Sequence, residues 1–293
     1  MRIGAFELNE PLPELNEPHV LAMLQPWIDI GGVGTMVISW LEMHFRTREL
    51  ARLARPGTFF DFTRYRPTIY YQEGRRQMSI PNVQITYGKR KTGNDLIFLH
   101  LLEPHSNSEL YVESILRVFK KFGAKRYTLL GSMYDLVPHT RPLIITGGGV
   151  GEGAQQTLDS LGVETSAYEG PTTIAFLISQ RAPDIGIENM SLIVHLPQYT
   201  QLDQDYTGTS QLMSVLGSIY DIPIDDSYRI KAQQQMEQIQ AAMEKNPQLK
   251  TIVEQLEKRY DARTKKNKEE EAPRLSPEIE KFLNEMEKRF GDN

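Results

Sequence analysis

Asn94-Asp95-Leu96-Ile97-Phe98-Leu99-His100-Leu101-Leu102-Glu103-Pro104, then the segment 108–123, then Tyr127-Thr128-Leu129-Leu130-Gly131, is the passage that decides the fold. Residues 96–101 form a nearly unbroken apolar run. A strand covered on both faces reads this way, because it has no wet side to impose alternation. Leu110, Ile115, Leu116 and Phe119 then recur at helical spacing. Ser108 stands where a helix cap is wanted and Gly123 where a helix stops. Residues 127–130 are a second apolar run. Strand, helix and strand in this order are the unit from which α/β proteins are built.

Working outward, residues 59–62, 68–71, 83–87, 143–146 and 192–196 read as further strands, and 35–45, 151–161 and 208–219 as helices. Together they predict an α/β fold, a three-layer αβα sandwich spanning residues 1–222. The texture changes beyond that point. From Asp225, Gln, Glu and Lys dominate, with Met236, Ile239 and Met243 on one stripe and Leu249, Ile252, Val253, Leu256 and Tyr260 on another. Such amphipathic faces must pack on something, so 223–262 is expected to form a helical hairpin. Residues 263–293 begin as a charged linker through Lys265, Lys266, Lys268 and Glu269 and end in a last stripe of Ile279, Phe282, Leu283, Met286 and Phe290.

Composition narrows the function classes. The chain has 293 residues with 33 basic against 38 acidic side chains, a net charge of −5. A general nucleic-acid binder needs a phosphate-neutralising basic surface, so no nucleic-acid partner is expected. With no cysteine, disulfides, thiolate metal sites and cysteine nucleophiles are excluded. No apolar run approaches the roughly 18 residues that span a bilayer, and residues 1–18 lack the features of a secretory signal. A cytoplasmic protein without a membrane partner is the expectation.

Several clusters could carry chemistry. Gly149, Gly151 and Ala154, within the run Thr146 to Ala154, match the G-x-G-x-x-A spacing of a phosphate-binding turn at a helix start, so Gly149 and Gly151 are candidate phosphate-binding residues. The alternative is a tight strand-to-helix turn. Gly31 and Gly32 stand in a second glycine cluster with no following Lys-Ser or Lys-Thr pair, which excludes a P-loop. They either rim a pocket or permit close backbone contact. Asp61, Glu103, Asp135, His139 and Arg141 stand at or near the ends of expected strands, where ligands of open α/β sheets gather. They are candidates for a pocket with acid/base capacity or, alternatively, for structural loop chemistry. No metal-ligand spacing, no cofactor fingerprint beyond the glycine run and no catalytic set is defined. His195, among aliphatic residues, reads as a hydrogen-bonded core histidine. Arg64, Arg66, Arg75 and Arg76 around Tyr65, Tyr70 and Tyr71 read as a surface or subunit-interface patch.

Taken jointly, these strings resemble the proteasome assembly chaperone family, of the second-chaperone type. The resemblance rests on Trp27-Ile28-Asp29-Ile30-Gly31-Gly32-Val33-Gly34, Phe60-Asp61-Phe62 with Arg66-Pro67, and Asn94 to Leu99 leading to Glu103-Pro104. It continues through Leu130-Gly131-Ser132-Met133, Val137-Pro138-His139-Thr140-Arg141-Pro142, Gly170-Pro171-Thr172 and Ser191 to Tyr199. The resemblance implies a phosphorylase- or hydrolase-like αβα fold without an established catalytic site, and a role in protein assembly. It also implies a homo-oligomer, with a trimer the leading expectation, and a protein partner engaged through the C-terminal helices. The family's hydrophobic-Tyr-X docking tail has no counterpart in Phe290-Gly291-Asp292-Asn293, so docking on proteasome rings by that tail is not expected. The alternative function is a phosphorylase- or hydrolase-like enzyme, or a nucleotide binder, using the strand-end residues.

Overall fold

The computed structural model describes residues 1–166 and 168–266; the expected last helix and tail lie outside the described residues. The strands are β1 (Arg2–Ile3), β2 (Phe6–Leu8), β3 (His19–Gln25), β4 (Arg48–Leu53), β5 (Thr68–Gln72), β6 (Arg75–Ser79), β7 (Gln84–Gly88), β8 (Leu96–Leu102), β9 (Arg126–Asp135), β10 (Ile145–Val150), β11 (Glu164–Thr165) and β12 (Glu188–Pro197). The helices are α1 (Val33–Phe45), α2 (Ser108–Lys121), α3 (Glu152–Leu161), α4 (Ile174–Arg181), α5 (Tyr206–Tyr220), α6 (Asp226–Glu244) and α7 (Pro247–Lys266). Ten strands form one sheet in the order β1-β2-β4-β7-β8-β3-β9-β12-β10-β11, and β5-β6 form a separate pair. β3 runs parallel to β8 and β9, and β7 antiparallel to β8.

The chain divides into two compact units. The first comprises Met1–Asp29, Gly34–Gly131 and Thr146–Ile193; the second comprises Ile30–Val33, Ser132–Ile145 and the described chain from Val194 onward. The first unit is layered because its central strands bury both faces. Val20, Ala22 and Leu24 of β3, with Ile97, Leu99 and Leu101 of β8, join a core with Tyr111, Ile115 and Phe119 of α2 and Ile174 and Ile178 of α4. The alternate residues turn to α1: Phe98 stacks with Phe45, and His100 pairs with Glu42 at 3.1 Å. Period-two side chains directed at helices on both sides make the αβα sandwich that the apolar runs predict. The second unit holds α5, α6 and α7. Its small core is Met243 of α6 and Ile252, Val253 and Leu256 of α7, closed by Tyr199 and Leu136.

Some expected elements differ. Residues 59–62 are not a strand: a 3-10 turn at Pro56–Thr58 precedes them, and the Phe59 and Phe60 amides both donate to the Pro56 carbonyl. Their apolar character serves an aromatic cluster, with both rings edge-on to Tyr111. The strand expected at 143–146 starts at Ile145 and runs through the glycines to Val150. Residues 68–71 are extended as expected, but in an exposed hairpin outside the large sheet. β3, beside β8 and β9, and α4 are further elements. In α4 the five-residue apolar run Ile174–Ile178 is too short for its period to separate helix from strand.

Candidate functional site

The candidate residues of the second unit lie at and beyond the end of β9. Asp135, its last residue, accepts from the Leu136 amide through Oδ1 and faces His195 Nδ1 of β12 at 2.7 Å through Oδ2. Arg263 of α7 stands 3.7 Å from the same oxygen. Burial alone would raise the Asp135 carboxyl. The His195 hydrogen bond and charge, the Leu136 amide and Arg263 outweigh it and hold the group below the usual carboxylate range.

His139 is buried, and its tautomer follows from its partners. Its backbone amide donates to the Tyr199 hydroxyl at 2.7 Å, and the same hydroxyl lies 2.5 Å from Nδ1. Nε2 faces Gln240 Oε1, an acceptor, 3.4 Å away on α6, so in the neutral ring Nε2 carries the hydrogen and Nδ1 accepts from Tyr199. Burial pushes the imidazole pKa down, against smaller opposing effects of Gln240 and Glu257, which keeps this neutral form in place.

Arg141 closes the arrangement. Its Nε and Nη2 fork onto Asp261 Oδ1 and Oδ2 at 2.9 and 3.0 Å, and Nη1 donates to Glu257 Oε1 at 3.0 Å. Thr140 Oγ1 donates to the same Glu257 oxygen at 2.6 Å, and Tyr260 donates to the Pro142 carbonyl at 2.9 Å. Glu257 and Asp261 share a face of α7 because four residues are close to one helical turn, and Tyr260 lies beside them. The segment after β9 is thereby bolted to α7 by a planar guanidinium, whose fixed fork matches carboxylates two oxygens at a time.

The other candidates have partners as well. Gly31 adopts φ 61, and a Cβ there would lie 2.8 Å from the Asp205 Cβ. Its carbonyl accepts from the Asp205 amide at 2.8 Å, while Asp205 caps α5 through the Gly208 amide. Gly31 and the adjacent Gly32, also at φ 61, thus allow the chain to approach the start of α5. In the first unit, Asp61 is exposed and closes a local turn by accepting from the Thr63 amide and hydroxyl. Both Glu103 oxygens accept from the Ile174 amide at the start of α4; burial raises this carboxyl against that hydrogen bond. The structure thus brings Gly31, Gly32, Asp135, His139 and Arg141 into one unit and places Asp61 and Glu103 in the other.

The glycines of the candidate phosphate turn separate: Gly149 lies inside β10. Gly151 precedes α3 with φ 113, but a Cβ there would meet the Glu188 side chain at 2.6 Å. Glu188 Oε1 accepts from the Gly153 amide at 2.9 Å, and Oε2 accepts from Arg126 Nε and Nη2 at 2.9 and 2.7 Å. The chain thus supplies its own anion to the helix N-terminus, where partial positive charge favours one. Burial works to raise this carboxyl, but Arg126 and the helix amides hold it below its ordinary range.

Glu188, Asp205, Tyr199, Glu257 and Asp261 are the partners that reading the sequence missed. Only Asp205 carries a local signal, an Asp three residues before a glycine at a helix start; the others act across long sequence separations. Among the described residues no group of three or more His, Asp or Glu side chains could hold a metal ion, and no helix is long and apolar enough to cross a membrane.

The fold is thus a layered α/β body whose strand-end polar groups are hydrogen-bonded within the chain. The family model of the PAC2 family matches residues 23–246, and the chain belongs to that family. Its fold is similar to that of a Corynebacterium glutamicum protein of unknown function, with 20% identity, 89% of this chain and 98% of that one covered, and a TM-score of 0.78. It is also similar to a Mycobacterium tuberculosis proteasome-assembly chaperone homologue, with 19% identity, 80% and 99% coverage and a TM-score of 0.71. A Pyrococcus furiosus archaeal proteasome activator is a more distant likeness, with 16% identity, 83% and 99% coverage and a TM-score of 0.61. No functionally curated protein matches the chain.

Proposed function

We propose that this chain is a non-catalytic protein-assembly factor of the cytoplasm, which self-associates, with a trimer the expected form, and binds a protein partner through its C-terminal helices. The observation that carries the reading is the consumption of the strand-end chemistry by the chain itself. Both ring nitrogens of His139 face side chains of the same unit, and the three contacting nitrogens of Arg141 are spent on α7. A general acid or base needs a proton or lone pair within reach of a substrate, and here those positions are taken. The names of the proteasome-assembly relatives support a partner that is itself a protein.

A thermal-shift series with nucleotides, nucleosides and inorganic phosphate tests the proposal. A ligand present at 100 times its Kd stabilises the folded chain by about 2.7 kcal/mol. No shift is the expected result. A shift accompanied by turnover of the compound would overturn the reading and favour a phosphorylase- or hydrolase-like enzyme.

A further inference from the structure

In the first unit, cations gather at one end of the large sheet. β3, β8 and β9 run parallel, β7 antiparallel to β8 and β4 antiparallel to β7, so four of these five neighbouring strands begin where β7 ends. α1 runs into β4 and α2 into β9, so both helices finish at the same end. Arg46 and Arg48 follow α1, Lys89 and Lys91 lie in the turn from β7 to β8, and Lys120 and Lys121 stand in the last turn of α2. A Cβ on Gly88 would lie 2.7 Å from the Phe45 Cβ and 3.3 Å from the Thr47 Cγ2, which sets the β7-β8 turn against the end of α1. All six side chains are exposed, and among the described residues none has an ion-pair partner.

The acids that reach this end are already engaged. Glu17 pairs with Lys125 at 3.3 Å, Glu10 with the N-terminal ammonium at 3.5 Å and Glu49 with Arg52 at 4.0 Å. Asp95 is buried and accepts from the Asn16 and Arg90 amides. In the crossing from β2 to β3, Glu14 is left without a partner among the described residues, against six cations. Helix ends favour positive charge, which accounts for Lys120 and Lys121 but not for Lys89 and Lys91, which belong to no helix. Arg46 breaks a local rule. Its amide donates to the Met43 carbonyl and the Thr47 amide to the Glu42 carbonyl, the paired bonds of a helix end where glycine is the favoured residue. Arg46 has φ 49 there, so a charge is carried on backbone that disfavours any side chain.

We propose that this basic end of the first unit binds an acidic segment of a partner protein, an extended stretch of Asp and Glu side chains. Five neighbouring strands at the usual spacing span about 19 Å, which about six extended residues cover. The exposed aromatic side chains Trp27, Phe62, Tyr70, Tyr71, Tyr168 and Phe176 all lie in other segments, so this end offers no platform on which bases could stack. Without the six cations the chain carries −5 − 6 = −11. Screening confines the attraction to about 8 Å, and a polyanion or anionic bilayer that runs past the patch meets an acidic remainder. A short acidic segment meets the cations alone. The proposal goes beyond the reading above: it involves no C-terminal helix, and its failure would leave that reading standing.

The test titrates the full chain into a fluorescein-labelled octapeptide of alternating Glu and Asp, with its Gln and Asn counterpart as control, and follows anisotropy at low and physiological salt. The acidic peptide should bind, the neutral one should not, and added salt should weaken binding. Lys89→Glu/Lys91→Glu and Arg46→Gly/Arg48→Gln change exposed side chains, and each should weaken binding about tenfold, the scale of a few exposed charge contacts. Arg52→Glu/Arg55→Glu, toward the opposite end of β4, should bind as the wild type does. Arg46→Gly alone should melt above the wild type yet bind more weakly, because glycine removes the strain together with the charge. An acidic peptide that does not bind, or Lys89→Glu/Lys91→Glu and Arg46→Gly/Arg48→Gln variants that bind it as the wild type does, would overturn the proposal. Tighter binding of a DNA duplex or of phosphatidylserine vesicles than of the peptide would also overturn it, and would assign the surface to a nucleic acid or a membrane.

Discussion

Replacing Glu188 with Ala should do two separable things. Arg126 is 7% exposed, and beyond Glu188 it donates to Thr157 Oγ1 at 3.3 Å. The substitution removes two charge-assisted hydrogen bonds of 2.9 and 2.7 Å and strips the Gly153 amide of its acceptor. Breaking a buried ion pair from one side costs about 3–5 kcal/mol. Since the Glu188 side chain is itself 31% exposed, water compensates part of the loss and the low end, about 3 kcal/mol, is expected. The vacated space is then lined by a guanidinium and a helix N-terminus, which together favour an anion. Urea unfolding followed by circular dichroism should show the loss in chloride. In phosphate the variant should recover stability by more than the wild type does, the wild type correcting for the general stabilising effect of that salt. A loss below about 1 kcal/mol would refute the buried-pair argument, since that is the scale of an exposed pair. Equal phosphate responses would refute the assignment of Glu188 as the chain's own anion.

Two further outcomes follow from the buried histidines. Burial, helped by Arg126 and Arg90, pushes His19 down to about 4 from 6.5. As pH falls through 6.5 the unfolded chain takes up a proton that the folded chain refuses until about 4, so stability present above 6.5 is lost across that window. The loss is about 3 kcal/mol, and the pH dependence of urea unfolding in His19→Gln should be flatter by that amount. Tyr199→Phe leaves the size of the side chain unchanged but removes the acceptor of the His139 amide and the donor to its Nδ1. A cost of about 1–3 kcal/mol is expected, and nitrogen NMR shifts of the His139 ring should show its tautomer preference relaxing.

β8 and β9 were legible because they are buried on both sides: residues 96–101 and 127–130 need no alternation, so their apolar runs announced them, whereas β3, buried between them, was missed. The α1, α2 and α5 segments likewise carry their period in the sequence. Residues 59–62 misled because an apolar run states burial and not direction; the Pro56 turn, with aromatic packing on Tyr111, uses the same composition as a strand. The surroundings of the glycine run were hidden for a different reason. Its spacing fits a phosphate turn, but Glu188, the residue that fills the anion position, lies 35 positions from the amide it accepts from. Similarly, Asp135, His139 and Arg141 were read as pocket candidates from their place after an expected strand, whereas Asp261, 120 positions beyond Arg141, gives no local sign of being its partner.

The hold of Arg141 on α7 is the contact on which the proposed function turns. Hydrogen exchange measured on Arg141→Gln, amide by amide, decides this. Release of the fork onto Asp261 and Glu257 should speed exchange along residues 249–261, while the amides of β3 and β8 keep their wild-type protection, because local opening is set by local contacts. Unchanged protection along α7 would contradict the account and return Arg141 to the groups available for a ligand.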